Sequence, residues 1–193
     1  AAGHPIAGIE ARLLGWGANS GREAAWNKDH EAPKRIESKT TTAADGVFLF
    51  RFWPPPPFQF ALHLGGHGLA SMSGRWSEIA PGSTKDLGDI AMLPGTLVRG
   101  RIVDSNGVPM TNVELHINGE QRGNEARIAP VSWDIAYVRT ADGTFRGRSQ
   151  LLPGTYTLDV RERTIVSPKQ IVLDGAAAEQ FVDVVLEALD DSK

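Results

Sequence analysis

The 193-residue chain is 41% hydrophobic and 22% charged, the usage of a folded globular protein rather than a disordered one. A net charge of −3 without any run of lysine or arginine argues against a dedicated nucleic-acid surface, and the absence of cysteine excludes disulfides, thiolate zinc sites and cysteine nucleophiles. No apolar run reaches the roughly 20 residues that cross a bilayer and no secretory leader pattern opens the sequence, while 21 glycines and 12 prolines punctuate short apolar runs in the manner of strands and turns.

In chain order, His4-Pro5-Ile6-Ala7-Gly8-Ile9-Glu10-Ala11-Arg12-Leu13 precedes a polar insert over residues 15–38 that carries Trp26 beside Asn27, Lys28, Asp29 and His30. Thr42-Ala43-Ala44-Asp45-Gly46-Val47-Phe48 follows, then a run of prolines at 54–57, then the strand-like Phe58-Gln59-Phe60-Ala61-Leu62-His63-Leu64. Arg75 and Trp76 fall in what reads as a Gly/Ser-rich loop, and Leu87-Gly88-Asp89-Ile90-Ala91-Met92 ends the first half. Leu93-Pro94-Gly95-Thr96 is a short, proline-stiffened junction, which predicts touching units with a limited range of orientations.

The second half is patterned more cleanly. Residues 98–104 read as a strand, and Asn106-Gly107 as a turn in which both residues tolerate positive φ. Val113, Leu115 and Ile117 alternate with Glu114 and His116, the period of two of a half-buried strand. Residues 135–140 form a third strand, Asp142-Gly143 turns it into 144–146, and Tyr156, Leu158 and Val160 alternate with polar residues in a fifth. Residues 165–173 and 181–189 supply the last two, and about seven short strands in about 95 residues read as a sandwich of two sheets.

The halves repeat one another. Asp45-Gly46 answers Asp142-Gly143 at an offset of 97, Phe60 answers Tyr156 at 96, Asp89 answers Asp183 at 94, and Pro5 answers Pro109 at 104. A drift of a few residues over so many strands predicts two tandem units, residues 1–94 and 95–193. The alignment places residue 1 in the turn after a first strand, so the first unit is expected to lack that strand and the sequence to be part of a longer protein.

The order G-x-[IV]-V-D-x-x-G-x-P-[MI]-x-x-V-x-[LV], T-x-D-G-x-F and L-P-G-x-Y-x-L-x-V over residues 97–189 resembles the carboxypeptidase regulatory-like family, and residues 1–92 follow it less closely, with four prolines in place of the Pro153-Gly154 turn. The resemblance implies an all-β fold of two tandem seven-stranded prealbumin-like (Ig-like) β-sandwiches, the first lacking its first strand. It also implies a non-catalytic accessory, interaction or spacer module of a larger exported bacterial protein, placed in the periplasm, at the cell surface or outside the cell. The residues carrying it are turn formers and core apolars: Gly107, Pro109, Asp142, Gly143, Phe145, Pro153, Gly154 and Tyr156.

Chemistry finds little purchase. His63 and His67 are four apart, but zinc chemistry at that spacing wants a helix, and Gly65-Gly66 forbids one. Tyr137 and Tyr156 with histidines raise the prealbumin-like iron dioxygenases, yet Tyr156 occupies an inward position and neither tyrosine shares a repeat with His63 or His67. Gly68-Leu69-Ala70-Ser71-Met72-Ser73-Gly74 is no nucleophile elbow, and Asp190-Asp191 reads as terminal solubilising charge. Lys169 is the sole internal lysine of the second unit and supports no isopeptide crosslink. Catalytic residues, metal ligands and cofactors are therefore expected to be none. Of five tryptophans, Trp26 in its polar insert, Trp76 beside Arg75, and Trp133 at the end of the second repeat's equivalent insert read either as lids on the open ends of their sandwiches or as flat platforms for sugars or protein hot spots. The expected partner is a protein or a carbohydrate, with no nucleic acid and no membrane span.

Overall fold

A computed structural model of the chain describes residues 4–17, 36–51, 58–76, 82–120 and 128–188; at residues 16, 17, 36, 58, 59 and 76 it describes the backbone alone. All regular structure among them is β: β1 (Glu10–Gly17), β2 (Ile36–Thr41), β3 (Phe58–Gly66), β4 (Leu69–Trp76), β5 (Thr96–Asp104), β6 (Val113–Gly119), β7 (Ala129–Pro130), β8 (Trp133–Val138), β9 (Thr144–Leu151), β10 (Gly154–Val160), β11 (Ile165–Ser167), β12 (Gln170–Leu173) and β13 (Glu179–Leu186). The chain divides into two compact units, one of Ala1–His67, Met72–Met92 and Gly123–Ala129, the other of Gly68–Ser71, Leu93–Arg122 and Pro130–Lys193.

The second unit holds a sandwich of two four-stranded sheets, ordered β12-β10-β6-β8 and β11-β13-β5-β9. Its core follows directly from period-two alternation: Val113, Leu115 and Ile117 of β6, Tyr156, Leu158 and Val160 of β10, Val98 and Ile102 of β5, and Val182, Val184 and Leu186 of β13 form one buried cluster. The expected single strand over 165–173 is split. β11 pairs with β13 in one sheet and β12 with β10 in the other, so the chain changes sheets across the Ser167-Pro168 bond, which is cis. β5 runs parallel to β13 on one side and antiparallel to β9 on the other.

The turns are set by side chains as much as by glycine. Of the Asn106-Gly107 pair only Gly107 takes a positive φ, 81°. The bend is organised instead by Asp104, whose carboxylate accepts from the Asn106 and Val108 N–H groups at 2.9 and 2.8 Å.

The repeat is physical as well as textual. Gly46 N–H donates to Ala43 C=O at 2.9 Å and Val47 N–H to the Asp45 carboxylate at 3.0 Å; in the second unit Gly143 donates to Thr140 C=O and Thr144 to Asp142, both at 3.1 Å. β1 pairs with β3 with Arg12 opposite His63 and Gly15 opposite Phe60, and β6 pairs with β10 with His116 opposite Asp159 and Gly119 opposite Tyr156, the same register under the offsets of 104 and 96. The glycine opposite the aromatic has a reason in the second unit, where a Cβ on Gly119 would collide with the Tyr156 ring. The first unit's sheet, β2-β1-β3-β4 with β7 beyond β4, thus repeats the order β8-β6-β10-β12. Among the described residues it has no second sheet: residues 47–51 and 87–92, which align with β9 and β13, join no strand ladder.

Tyr156 is 4% exposed and its hydroxyl donates to the Leu152 carbonyl at 2.8 Å. Tyr156→Ala is expected to cost about 3–5 kcal/mol of stability, and Tyr156→Phe about 0.5–1.5 kcal/mol for the hydrogen bond alone. Denaturant melts of the two variants check the difference; a Tyr156→Ala protein with an unchanged midpoint would contradict the register.

Candidate functional site

Strand alternation turns half of each sheet's side chains outward, and in the second unit the outward row of β8 is aromatic and apolar: Trp133, Ile135 and Tyr137 at successive alternate positions. Trp133 is 50% exposed. Directly opposite on β6 stand Asn118, His116 and Glu114 respectively. The next strand over continues the polar surface, with Thr157 opposite Asn118 and Asp159 opposite His116. His116 Nε2 lies 2.9 Å from a Glu114 carboxylate oxygen, and the Tyr137 ring is flanked by two guanidinium groups, Arg148 at 4.7 Å and Arg139 at 5.6 Å from its centroid. A shallow polar depression of about 200 Å³ lies near the start of β6, bordered by Asn112, Glu114, Arg161, Glu162 and Arg163.

Trp26 lies outside the described residues. Arg75 and Trp76 are the last two residues of β4, not of a loop: the two-residue turn His67-Gly68, both at positive φ, carries the chain directly from β3 into β4, where Ala70, Met72 and Gly74 point inward and Ser71, Ser73 and Arg75 outward. Trp133 opens β8. Sequence reasoning weighed Tyr137 only as an iron ligand and read Glu114 and His116 only as the polar side of a strand; their grouping with Asn118 and Trp133 on one face was missed, although the period-two spacing of Trp133, Ile135 and Tyr137 is a signal that could have found the aromatic row.

The two histidines weighed as ligands hold different surroundings. His67 Nε2 donates to the Gly8 carbonyl at 3.0 Å. His63 faces outward, and partial burial, reinforced by the Arg12 and Arg75 charges, holds its imidazole below the ordinary histidine range. Arg12 in turn lies 2.9 Å from Glu37. Among the described residues no three His, Asp or Glu side chains gather as metal ligands would.

One buried carboxylate ties the sheets together. Asp134 of β8 is 2% exposed and accepts from the Ile135 and Arg148 N–H groups at 2.8 Å and from Ser149 N–H at 3.1 Å. The donors on β9 are free to reach it because β9 slips register against β5 between Leu97 and Arg99.

No family model matches the sequence, and no curated protein matches it. Among solved structures, the chain is similar to the shaft pilin SpaA of Lactobacillus rhamnosus GG at 10% identity and a TM-score of 0.33, over 95% of this chain and 88% of that one. It is also similar to a "putative cell adhesion protein" of Bacteroides fragilis at 10% identity and a TM-score of 0.28, over 99% of this chain and 84% of that one. Both scores are low, and the all-β assignment stands on the chain's own sheets.

Burial raises the Asp134 pKa above its ordinary value against the opposing pull of the three N–H donors. Folding therefore favours the protonated form, so this group's stabilisation is full below the ordinary carboxyl pKa and is lost as pH rises through the raised one. Across that window wild-type stability is expected to fall relative to Asp134→Asn, as thermal melts would register. Asp134→Ala, which leaves the part-buried Arg148 and Ser149 N–H groups on β9 without their acceptor, is expected to cost about 1–3 kcal/mol below that window and less above it.

Proposed function

We propose that the chain is a non-catalytic pair of accessory modules of the carboxypeptidase regulatory-like type, residues 1–94 and 95–193, serving interaction or spacing in a larger exported bacterial protein of the periplasm, cell surface or exterior. The observation that supports it is the repeated sheet: the same strand order and register in two successive copies, with inward positions spent on packing and outward ones on polar, charged and aromatic groups. Such a pair offers surfaces and fixed strand geometry. The interacting surface in this reading is the face of Trp133, Ile135 and Tyr137 with Asn118 and His116 beside it.

A second reading, a carbohydrate-binding module, is favoured by one feature. A half-exposed indole opposite Asn118, with Thr157 on the strand beyond, offers a sugar both a flat apolar face and hydrogen-bonding groups. Trp26 and the Arg75-Trp76 pair extend this proposal as further platforms.

Affinity electrophoresis through a panel of soluble polysaccharides separates the two. The accessory reading expects no retardation and no change in tryptophan fluorescence on adding any of them. Retardation that Trp133→Ala weakens by about tenfold or more, the loss typical of an anchoring aromatic, would replace it with the carbohydrate reading.

A further inference from the structure

We infer that the outward face of β8 in the second unit takes an extended, acidic-ended segment of a protein partner, with apolar side chains on Trp133 and Ile135 and a carboxylate held by Arg139 and Arg148 beside the Tyr137 ring. This rests on the reading of that face as the interacting surface and names the chemistry of what it meets.

Two guanidinium groups there are unmatched, although their neighbours are matched. Glu179 lies 3.1 Å from Arg99 of β5 and 3.1 Å from Arg146 of β9, and Asp183 lies 3.7 Å from Arg101 of β5. Arg148 stands two residues beyond Arg146 on the same strand, and both it and Arg139 are exposed. Among the described residues neither has a carboxylate within ion-pair distance. Both lie instead against one ring, at 4.7 and 5.6 Å from the Tyr137 centroid. Glu114, the acid opposite Tyr137, has its carboxylate 2.9 Å from His116 Nε2. Arg148 is also fixed at its base, because its backbone N–H donates to Asp134 Oδ2 at 2.8 Å. Two like charges gathered on one ring repel each other. A carboxylate placed beside them replaces that repulsion with two attractions, and the guanidinium fork matches its pair of oxygens.

The rest of the row decides the form of the partner. Trp133, Ile135 and Tyr137 recur at alternate positions, about 7 Å apart, which is also the spacing of same-side residues in an extended peptide. Trp133 is 50% exposed, and Ile135 and Tyr137 are half-buried. The side chain in the middle, Ile135, offers dispersion contact and no hydrogen bond, which suits an apolar peptide side chain better than a hydroxyl-bearing ring. A segment lying along β8 therefore sets apolar residues at two successive alternate positions, over Trp133 and Ile135. Its next alternate positions, beside Tyr137 and Arg139, are acidic. Tryptophan, tyrosine and arginine are the side chains that most often anchor protein partners.

The probes are end-blocked peptides of about seven residues, with Leu, Val, Asp and Asp at alternate positions and Thr between, made in both chain directions. The same peptides with Asn for Asp are the controls. Each is titrated against the full chain, and the NMR shifts of the Trp133 indole and of the arginine Nε groups are followed. In one direction the acidic peptide is expected to bind saturably, to move the Trp133, Arg139 and Arg148 signals and not those of Arg99, and to bind about tenfold more tightly than its Asn version. Arg148→Gln changes an exposed side chain and keeps the backbone bond to Asp134, so it should weaken the acidic peptide about two- to fivefold and leave the Asn peptide unchanged. Equal affinity of the Asp and Asn peptides, an effect of Arg146→Gln as large as that of Arg148→Gln, or no binding in either direction would overturn the proposal. So would Arg148-dependent binding of polygalacturonate in place of the peptide, which would make the ligand an acidic polysaccharide. Asn and Asp peptides that bind alike and are lost only in Trp133→Ala would remove the carboxylate site and keep the face as an interaction surface; retardation by neutral polysaccharides would remove the interaction reading itself.

Discussion

A strand in the middle of a sheet must satisfy backbone groups on both of its edges while burying one face, and β5 is where the second unit meets that demand. It supplies the ladder for β13 and β9 at once and sinks Val98 and Ile102 into the core with no exposed surface. Parallel pairing with β13 needs a long crossover, and the intervening chain is used to build the opposite sheet, β12-β10-β6-β8, before returning. Gly100 marks how close the approach is, since a Cβ there would run into the Val182 carbonyl. Remove β5 and neither β9 nor β13 retains a neighbour on its inner edge. Among the described residues of the first unit the aligned segments, 47–51 and 87–92, join no ladder, and Phe48, Ile90 and Met92 are half-buried.

What the two units share is the other sheet, and its persistence has a packing cause. The inward ring of Tyr156 needs room on the strand opposite and Gly119 gives it, and Phe60 stands opposite Gly15 in the same register. That pairing fixes register, because a slip of one residue would place a side chain where the ring lies and turn every apolar residue outward. At the open edge between the sheets of the second unit the solution is polar instead. Asp134 accepts from backbone donors of β9 that the register slip has freed from the ladder, so a carboxylate does there what strand pairing does elsewhere.

Much of this was legible because it is periodic. Val113, Leu115, Ile117, Tyr156, Leu158 and Val160 are inward as their alternation requires, and the Asp-Gly turns at 45–46 and 142–143 close alike in both copies. Three features were not legible, each because it depends on partners distant in sequence. The exchange of sheets between β11 and β12 is marked in sequence only by the polar break Ser167-Pro168-Lys169-Gln170, which does not say to which sheet each half pairs. The strand character of Arg75 and Trp76 was masked by glycines and serines, which read as a loop although small residues suit a strand whose outward face is polar. Nothing in the sequence around Asp134 marks it as the acceptor for the β9 backbone, which register alone brings to it. The face around Trp133 was half legible: the ring stood out by composition, but its neighbours Asn118 and His116 come from a strand about fifteen residues away and are brought beside it only by register.

The same comparison separates packing from surface. Arg12 and His63 of the first unit occupy the register places of His116 and Asp159 in the second, so a pair made basic in one copy, with Arg75 close enough to depress the histidine pKa, is a histidine facing a carboxylate in the other. Inward positions keep their apolar character between copies because a void or a buried charge there costs several kcal/mol. Outward positions carry no such penalty and have diverged in charge and in aromatic content. The sheet that both units share thus keeps its inward side, and the two copies differ in these outward rows.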